Sequence, residues 1–252
     1  MCGRYASSRR PEDLVEEFDI PVRGELPRLD PDYNVAPTDP VYAVVARPPS
    51  QTQPVAERQL RVLRWGLVPF WSKSPTGGAR MINARVETVA EKPAFRRAFE
   101  KRRCVIPADG YYEWYLTDRL DRRGKPVKQP FFIRPRDGGV LAMAGLFEIW
   151  RDPTRDQDDP ERNLWTCTVI TTSAEDSLGH IHDRMPMMLA PERRDAWLDP
   201  RPQTREELLG LLTPAAPGQL EAYPVSSAVG NVANNSADLI RPLPLEGSDG
   251  DC

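Results

Sequence analysis

Residues Cys104–Tyr115 read CVIPADGYYEWY: an apolar run, a turn at Pro107-Ala108-Asp109-Gly110, and a second run crowded with aromatic rings. Val, Ile, Tyr and Trp favour the pleated sheet surface, and Asp-Gly favours a turn, so the stretch predicts two strands joined tightly. Working outward, strand-like runs recur at Val41–Ala46, Arg61–Leu67, Pro130–Ile133, Val140–Ile149 and Thr166–Thr172. Loops dense in Pro, Gly and charge separate them: RPPSQTQPVAER (47–58), TDRLDRRGKPVKQ (117–129) and RDPTRDQDDPERN (151–163). The last two predict long connections projecting from a common sheet. Helices are fewer and short, at Pro11–Phe18, Lys92–Lys101, Pro191–Leu198 and Thr204–Leu212. Neither a repeat nor a linker interrupts the chain, which predicts a single α+β domain followed by a polar, frayed tail.

At 252 residues, with 40% hydrophobic and 28% charged, the composition is that of a globular protein with a proper core. No apolar stretch approaches bilayer length, and the start, MCGRYASSRRPEDL, lacks the apolar segment of a signal peptide. A cytoplasmic location is the expectation. Cys2, Cys104, Cys167 and Cys252 are too scattered for a disulfide framework or a zinc site. His180 and His182 have no Cys or carboxylate cluster beside them to complete a metal site, so neither a metal nor another cofactor is expected.

The formal net charge of −3 does not mark a nucleic-acid binder, but charge is unevenly spread. Lys73–Arg103 carries nine basic residues against three acidic ones. In the helix of that stretch, Phe95 and Phe99 share one face at i, i+4, leaving Arg96, Arg97 and Arg103 near the other. Such a face serves either as a phosphate-binding surface or simply as a solvated one.

Five features could carry chemistry. A small second residue lets the initiator methionine be removed, which would leave Cys2 with an α-amine and a thiol on adjacent carbons. That amine, with an ordinary pKa of about 7.7–8.0, forms a Schiff base with an aldehyde, and the thiol then closes a thiazolidine. Asn83, in Ile82-Asn83-Ala84-Arg85, can donate and accept, and the Arg85 fork suits a phosphate; a turn-forming asparagine is the plain alternative. Glu113 sits among Tyr111, Tyr112, Trp114 and Tyr115. Enclosed by rings, its pKa would rise into the range useful for proton transfer; on an outward edge it would face water. His182 could move a proton near neutrality, oriented by Asp183 or Arg184, or make only a structural hydrogen bond. Trp65 and Trp71 could stack on bases, with at least one of the two expected in the core.

Taken in order, the blocks MCGRY, YNVAPT (Tyr33–Thr38), RWGLVPFW (Arg64–Trp71), INARVET (Ile82–Thr88), RRCVIPADGYYEW (Arg102–Trp114), AGLFE (Ala144–Glu148), TTSA (Thr171–Ala174) and HDRMP (His182–Pro186) resemble the SRAP family of abasic-site-processing, SOS-response-associated proteins. The resemblance implies an α+β domain over 1–243, built around a curved, barrel-like, mostly antiparallel sheet with flanking short helices, and a polar tail over 244–252. It implies Cys2 as crosslinking nucleophile, Asn83 beside its amine, Glu113 as catalytic carboxylate and His182 at the sugar. By the same pattern Arg4 and Arg85 contact phosphates; read from the residues alone, the basic helix with Arg96 and Arg97 and the aromatics Trp65 and Trp71 would extend the DNA surface. The expected partner is single-stranded DNA containing abasic sites, bound by a monomer, with lyase, autoproteolytic or crosslink-reversal activity as accompaniments. Two other classes compete. Cys2, His182 and Asn83 also compose a cysteine-peptidase set, and the tryptophans and arginines would suit a noncatalytic single-strand binder.

Overall fold

The computed structural model describes residues 2–48, 56–174, 178–214 and 216–244. The chain opens with strand β1 (Tyr5–Ser7), helix α1 (Pro11–Glu17), and strands β2 (Asp32–Val35), β3 (Pro40–Arg47) and β4 (Glu57–Trp65). Then come β5 (Asn83–Arg85), α2 (Arg96–Lys101), β6 (Arg103–Ala108), β7 (Gly110–Leu120), β8 (Pro126–Pro135), β9 (Leu141–Arg151) and β10 (Asn163–Ser173). The closing elements are β11 (Arg184–Pro186), α3 (Pro191–Leu198), α4 (Arg205–Leu211) and β12 (Leu220–Pro224). Among the described residues no helix is long and apolar enough to cross a membrane.

The expected barrel-like sheet is present and closes on itself. β3 pairs with β4 and β6, β6 with β9, β9 with β10, and β10 returns to β4. Among the described residues the only parallel joints are those of β10 with β4 and β5; the rest, including β11 on β10, are antiparallel. Closure gives each of these five strands a partner on both sides along part of its length, and β5 and β11 take up the remaining edge of β10. A second sheet, wholly antiparallel, runs β12-β8-β7-β1-β2 and lies against the barrel.

This arrangement explains why the strand runs read as continuous rather than alternating. On β3, Val41, Ala43 and Val45 point into the core that fills the barrel, whereas Tyr42 and Val44 meet the helical layer. That layer brings Leu14 and Phe18 of the α1 region, Ala98 and Phe99 of α2, Trp197 and Leu198 of α3 and Leu208 of α4 onto the barrel's outside. Both faces are buried, so both are apolar. A third cluster sits on the far face of the second sheet, where Tyr112 and Phe132 are covered by Val225, Val229 and Leu239.

Some expectations need correction. The stretch 117–129, read as a long loop, mostly lies in strands: β7 runs to Leu120 and β8 starts at Pro126, leaving a tight turn in which Asp121 Oδ1 accepts from the Arg123 and Lys125 amides. Polar residues there reflect a two-stranded arm open to water, not a break in pairing. α2 starts at Arg96 rather than Lys92, and the preceding residues form hydrogen-bonded turns. α4 starts close to its expected point because Thr204 and Glu207 form a reciprocal capping box. The part of loop 47–58 spanning 49–55, and all but Pro244 of the expected tail, lie outside the described residues.

One glycine is indispensable to the aromatic block Arg64–Trp71. Gly66 has φ +127°, and a Cβ there would stand 2.6 Å from the Gly78 carbonyl oxygen. Its turn buries Leu67 and Val68 and sends Phe70 and Trp71 outward. Gly66→Ala is expected to cost on the order of 2–4 kcal/mol through backbone strain and this clash, read as a lower urea midpoint with an unchanged slope.

Candidate active site

The chain's first residues are pinned by the second sheet. Tyr5 pairs with Tyr111 across β1 and β7, and the ladder continues as the Tyr112 amide donates to the Arg4 carbonyl at 2.9 Å. That register sets Glu113 opposite Gly3, beside Cys2. β5 approaches from the barrel, and there the Asn83 Nδ2 donates to the Cys2 carbonyl at 2.7 Å. The Asn83 Oδ1 is buried and has no hydrogen-bond partner among the described residues. An acceptor held beside Cys2 in this way can receive a hydrogen bond from an amine or a substrate hydroxyl.

Glu113 is enclosed, 3% exposed, and not on a water-facing edge. It shares a β7 face with Tyr111, toward the barrel core, while Tyr112 and Trp114 face the third cluster. Burial pushes its pKa from the ordinary 4.5 up to about 7, so both protonation states are accessible near neutrality. Burial also pushes the Cys2 thiol well up, with the Glu113 carboxylate adding to the effect.

His182 Nε2 lies 3.9 Å from Glu113 Oε2, longer than a hydrogen bond. The Arg184 backbone N–H donates to His182 Nδ1 at 3.0 Å, which leaves the proton of the neutral imidazole on Nε2, facing Glu113. Asp183 Oδ1, also 3.0 Å from Nδ1, favours the charged ring, but its side chain is largely exposed and the attraction is screened. Burial dominates and lowers the His182 pKa. Of the two residues considered as orienters, Arg184 is the better placed. Its guanidinium is locked on Glu87 at 2.5 and 3.1 Å and on the Thr171 carbonyl at 2.7 Å.

Cys2, Asn83, Glu113 and His182 thus converge from four segments distant in sequence. The expected DNA-facing residues separate into three groups. Arg85, Arg96 and Arg97 are exposed, and the Arg97 guanidinium lies 4.1 Å from the ring centre of Phe70, next to Trp71, which is 57% exposed. Arg4 is half-buried: its Nη1 donates to Asn34 Oδ1 at 2.7 Å and to the Val229 carbonyl at 3.0 Å. Trp65 is withdrawn as a stacking residue. Its ring is 0% exposed, edge-on to Tyr5 at 5.0 Å, and its Nε1 donates to the Ile82 carbonyl at 3.0 Å, so it braces β5 from within. Arg103, expected on the basic helix face, is likewise internal and donates to the carbonyls of Trp197, Phe99, Glu100 and Asp199.

Asn34 was missed by the sequence reading. Buried in β2, it receives Arg4 on Oδ1, while its Nδ2 donates to the carbonyls of Asn231 at 3.0 Å and Asn234 at 2.8 Å. Its place in the YNVAPT block was the available signal.

The chain matches the SRAP family, SOS response associated peptidase, over residues 1–232. It belongs to that family. Among similar SRAP-type relatives, the abasic site processing protein YoaM of Bacillus subtilis is 40% identical over 240 residues, covering 95% of this chain and 97% of that one. The abasic site processing protein YedK of Escherichia coli is 33% identical, covering 96% and 100%. Among solved structures, a protein from Bacteroides thetaiotaomicron superposes with TM-score 0.76 at 25% identity, covering 96% of this SRAP chain and 100% of its own. A phage-related protein from Bordetella bronchiseptica gives 0.65 at 30% identity, covering 89% and 94%.

Proposed function

We propose that this protein processes abasic sites in single-stranded DNA by attaching itself covalently through Cys2, exposed as the N-terminal residue once Met1 is removed. The observation that carries the reading is the convergence on Cys2 of Asn83, Glu113 and the Glu113–His182 pair. Relatives named as abasic site processing proteins that align over nearly the full chain support the substrate class.

An abasic sugar exchanges between a closed hemiacetal and an open aldehyde. Ionised Glu113 takes the anomeric hydroxyl proton and passes it to the ring oxygen, which also accepts a hydrogen bond from the His182 Nε2–H, and the ring opens. The neutral Cys2 amine adds to the aldehyde carbon, with the Asn83 Oδ1 accepting from the amine. Glu113 carries the two amine protons in turn to the former carbonyl oxygen, which leaves as water, and the neutral imine results. The Cys2 S–H then adds across the C=N bond: sulfur bonds to carbon, the proton passes to nitrogen, and a thiazolidine results. The net change is aldehyde plus aminothiol giving ring plus one water. The same imine acidifies the neighbouring carbon, so slow β-elimination is an attendant lyase activity. Arg4, Arg85, Arg96, Arg97 and Trp71 hold the strand through phosphates and one stacked base, which makes binding sequence-tolerant and salt-sensitive.

A cysteine-peptidase mechanism is less well supported. It needs a thiolate made by an adjacent imidazolium, whereas burial keeps the Cys2 thiol protonated and the His182 imidazole faces Glu113. A chain carrying one extra residue ahead of Cys2 separates the two mechanisms. Incubated with an abasic single-stranded oligonucleotide and run on a denaturing gel, it is expected to give no adduct. An adduct as abundant as that of the unextended protein would refute the role of the amine.

A further inference from the structure

The barrel has a second mouth, at the strand ends opposite to those nearest Cys2. There Arg47 ends β3, Arg61 lies midway along β4, Lys101 and Arg102 lead into β6, and Phe147 and Trp165 come from the paired strands β9 and β10. Together they line a cavity of about 460 Å³, within the ~300–1,000 Å³ usual for small-molecule sites, which favour barrel mouths.

The floor is a stack. Phe147 and Trp165 lie nearly parallel, 12° apart with ring centres 5.5 Å apart, and the Arg61 guanidinium sits 4.5 Å from the Trp165 ring centre. Arg102 pairs with the buried Glu148. Arg47, Arg61 and Lys101 have no ion pair among the described residues, and the Arg61 fork donates only to the neutral Gln59 amide, at 3.2 and 3.0 Å. Burial, and next Arg47, hold Arg61 below its ordinary pKa; burial, then Arg97 and Arg151, do the same to Arg102. Three cations without an ion pair among the described residues, one of them over a stacked ring, suit an anion that also carries a flat ring.

We propose that this mouth binds a nucleoside phosphate, with its base stacked on the face of Arg61 turned away from Trp165 and its phosphate held by Arg47 and Lys101. Guanidinium planes stack on bases, and each charged hydrogen bond to phosphate adds to the attraction. The nucleoside phosphate is either free or one unit of a strand. None of this involves Cys2, so its test is independent of the covalent chemistry.

The test is isothermal titration calorimetry on the full chain with adenosine 5′-monophosphate, adenosine and inorganic phosphate, and in a second arm with an intact single-stranded dinucleotide. Arg61→Ala and the exposed Lys101→Gln are compared with the parent after confirming equal melting temperatures. The expected result is that the monophosphate binds at least roughly tenfold more tightly than adenosine or phosphate alone, and that each variant weakens it about tenfold. Binding of the dinucleotide alone, weakened by the same variants, supports the strand as the source. If no nucleotide binds, or if both variants bind as the parent does, the proposal is overturned.

Discussion

Cys2→Ala is expected to reduce heat-stable attachment to abasic DNA to background while leaving an imine that borohydride can trap. Alanine is small enough for Met1 still to be removed, so the variant keeps an α-amine in the same place, with the Asn83 Nδ2 still available to its carbonyl. What it loses is the sulfur. An imine alone reverts by addition of water, whereas ring closure removes the C=N bond that water attacks. Paired gels with and without borohydride check this. An equally heat-stable, unreduced adduct from Cys2→Ala would rule out the thiol step.

The second large effect falls on Glu113. Glu113→Gln is expected to slow adduct formation by ~10²–10⁴, the usual worth of a positioned acid–base group, without abolishing it, since the amine remains. The pH profile carries more information. Because burial holds the Glu113 pKa at about 7, the parent rate should climb as pH rises through 7 and the base ionises. In the Glu113→Gln variant only the amine titration, at about 7.7–8.0, should remain. Stability should move in the opposite sense. The folded state keeps the Glu113 proton to higher pH than the unfolded chain does, so its contribution is intact below about pH 4.5 and is lost as pH rises through about 7. A glutamine side chain cannot ionise, so the variant should be more stable than the parent at pH 8, by on the order of 2–3 kcal/mol, and should lose that advantage near pH 4.5. Thermal melts at the two pH values check it.

The long strands were legible because a barrel clad on both sides demands unbroken apolar runs, and such runs stand out in Val41–Ala46 or Val140–Ile149. β1, β2, β5, β11 and β12, of three to five residues each, were not. Segments that short show no periodicity, and their pairing is imposed by partners far along the chain: β5 exists because Val169–Thr171 offer it an edge. The candidate site suffers the same limit. Glu113 could be singled out from its aromatic neighbours, but its proximity to Cys2 depends on the β1–β7 register, and that of Asn83 on β10. Charge counting misled where an arginine turns inward, as Arg103 does to satisfy carbonyls. Of the two tryptophans Trp65 is the core one, because it shares with Leu63 the β4 face turned into the barrel.

The most direct measurement is the intact mass of the product formed with a single-stranded oligonucleotide bearing one abasic site. The expected species is the chain without Met1 plus the oligonucleotide less one water, unchanged in mass by borohydride and absent when the DNA is intact. A product retaining Met1, one reduced by borohydride, or no product from a chain verified to begin at Cys2 would contradict covalent capture as a thiazolidine.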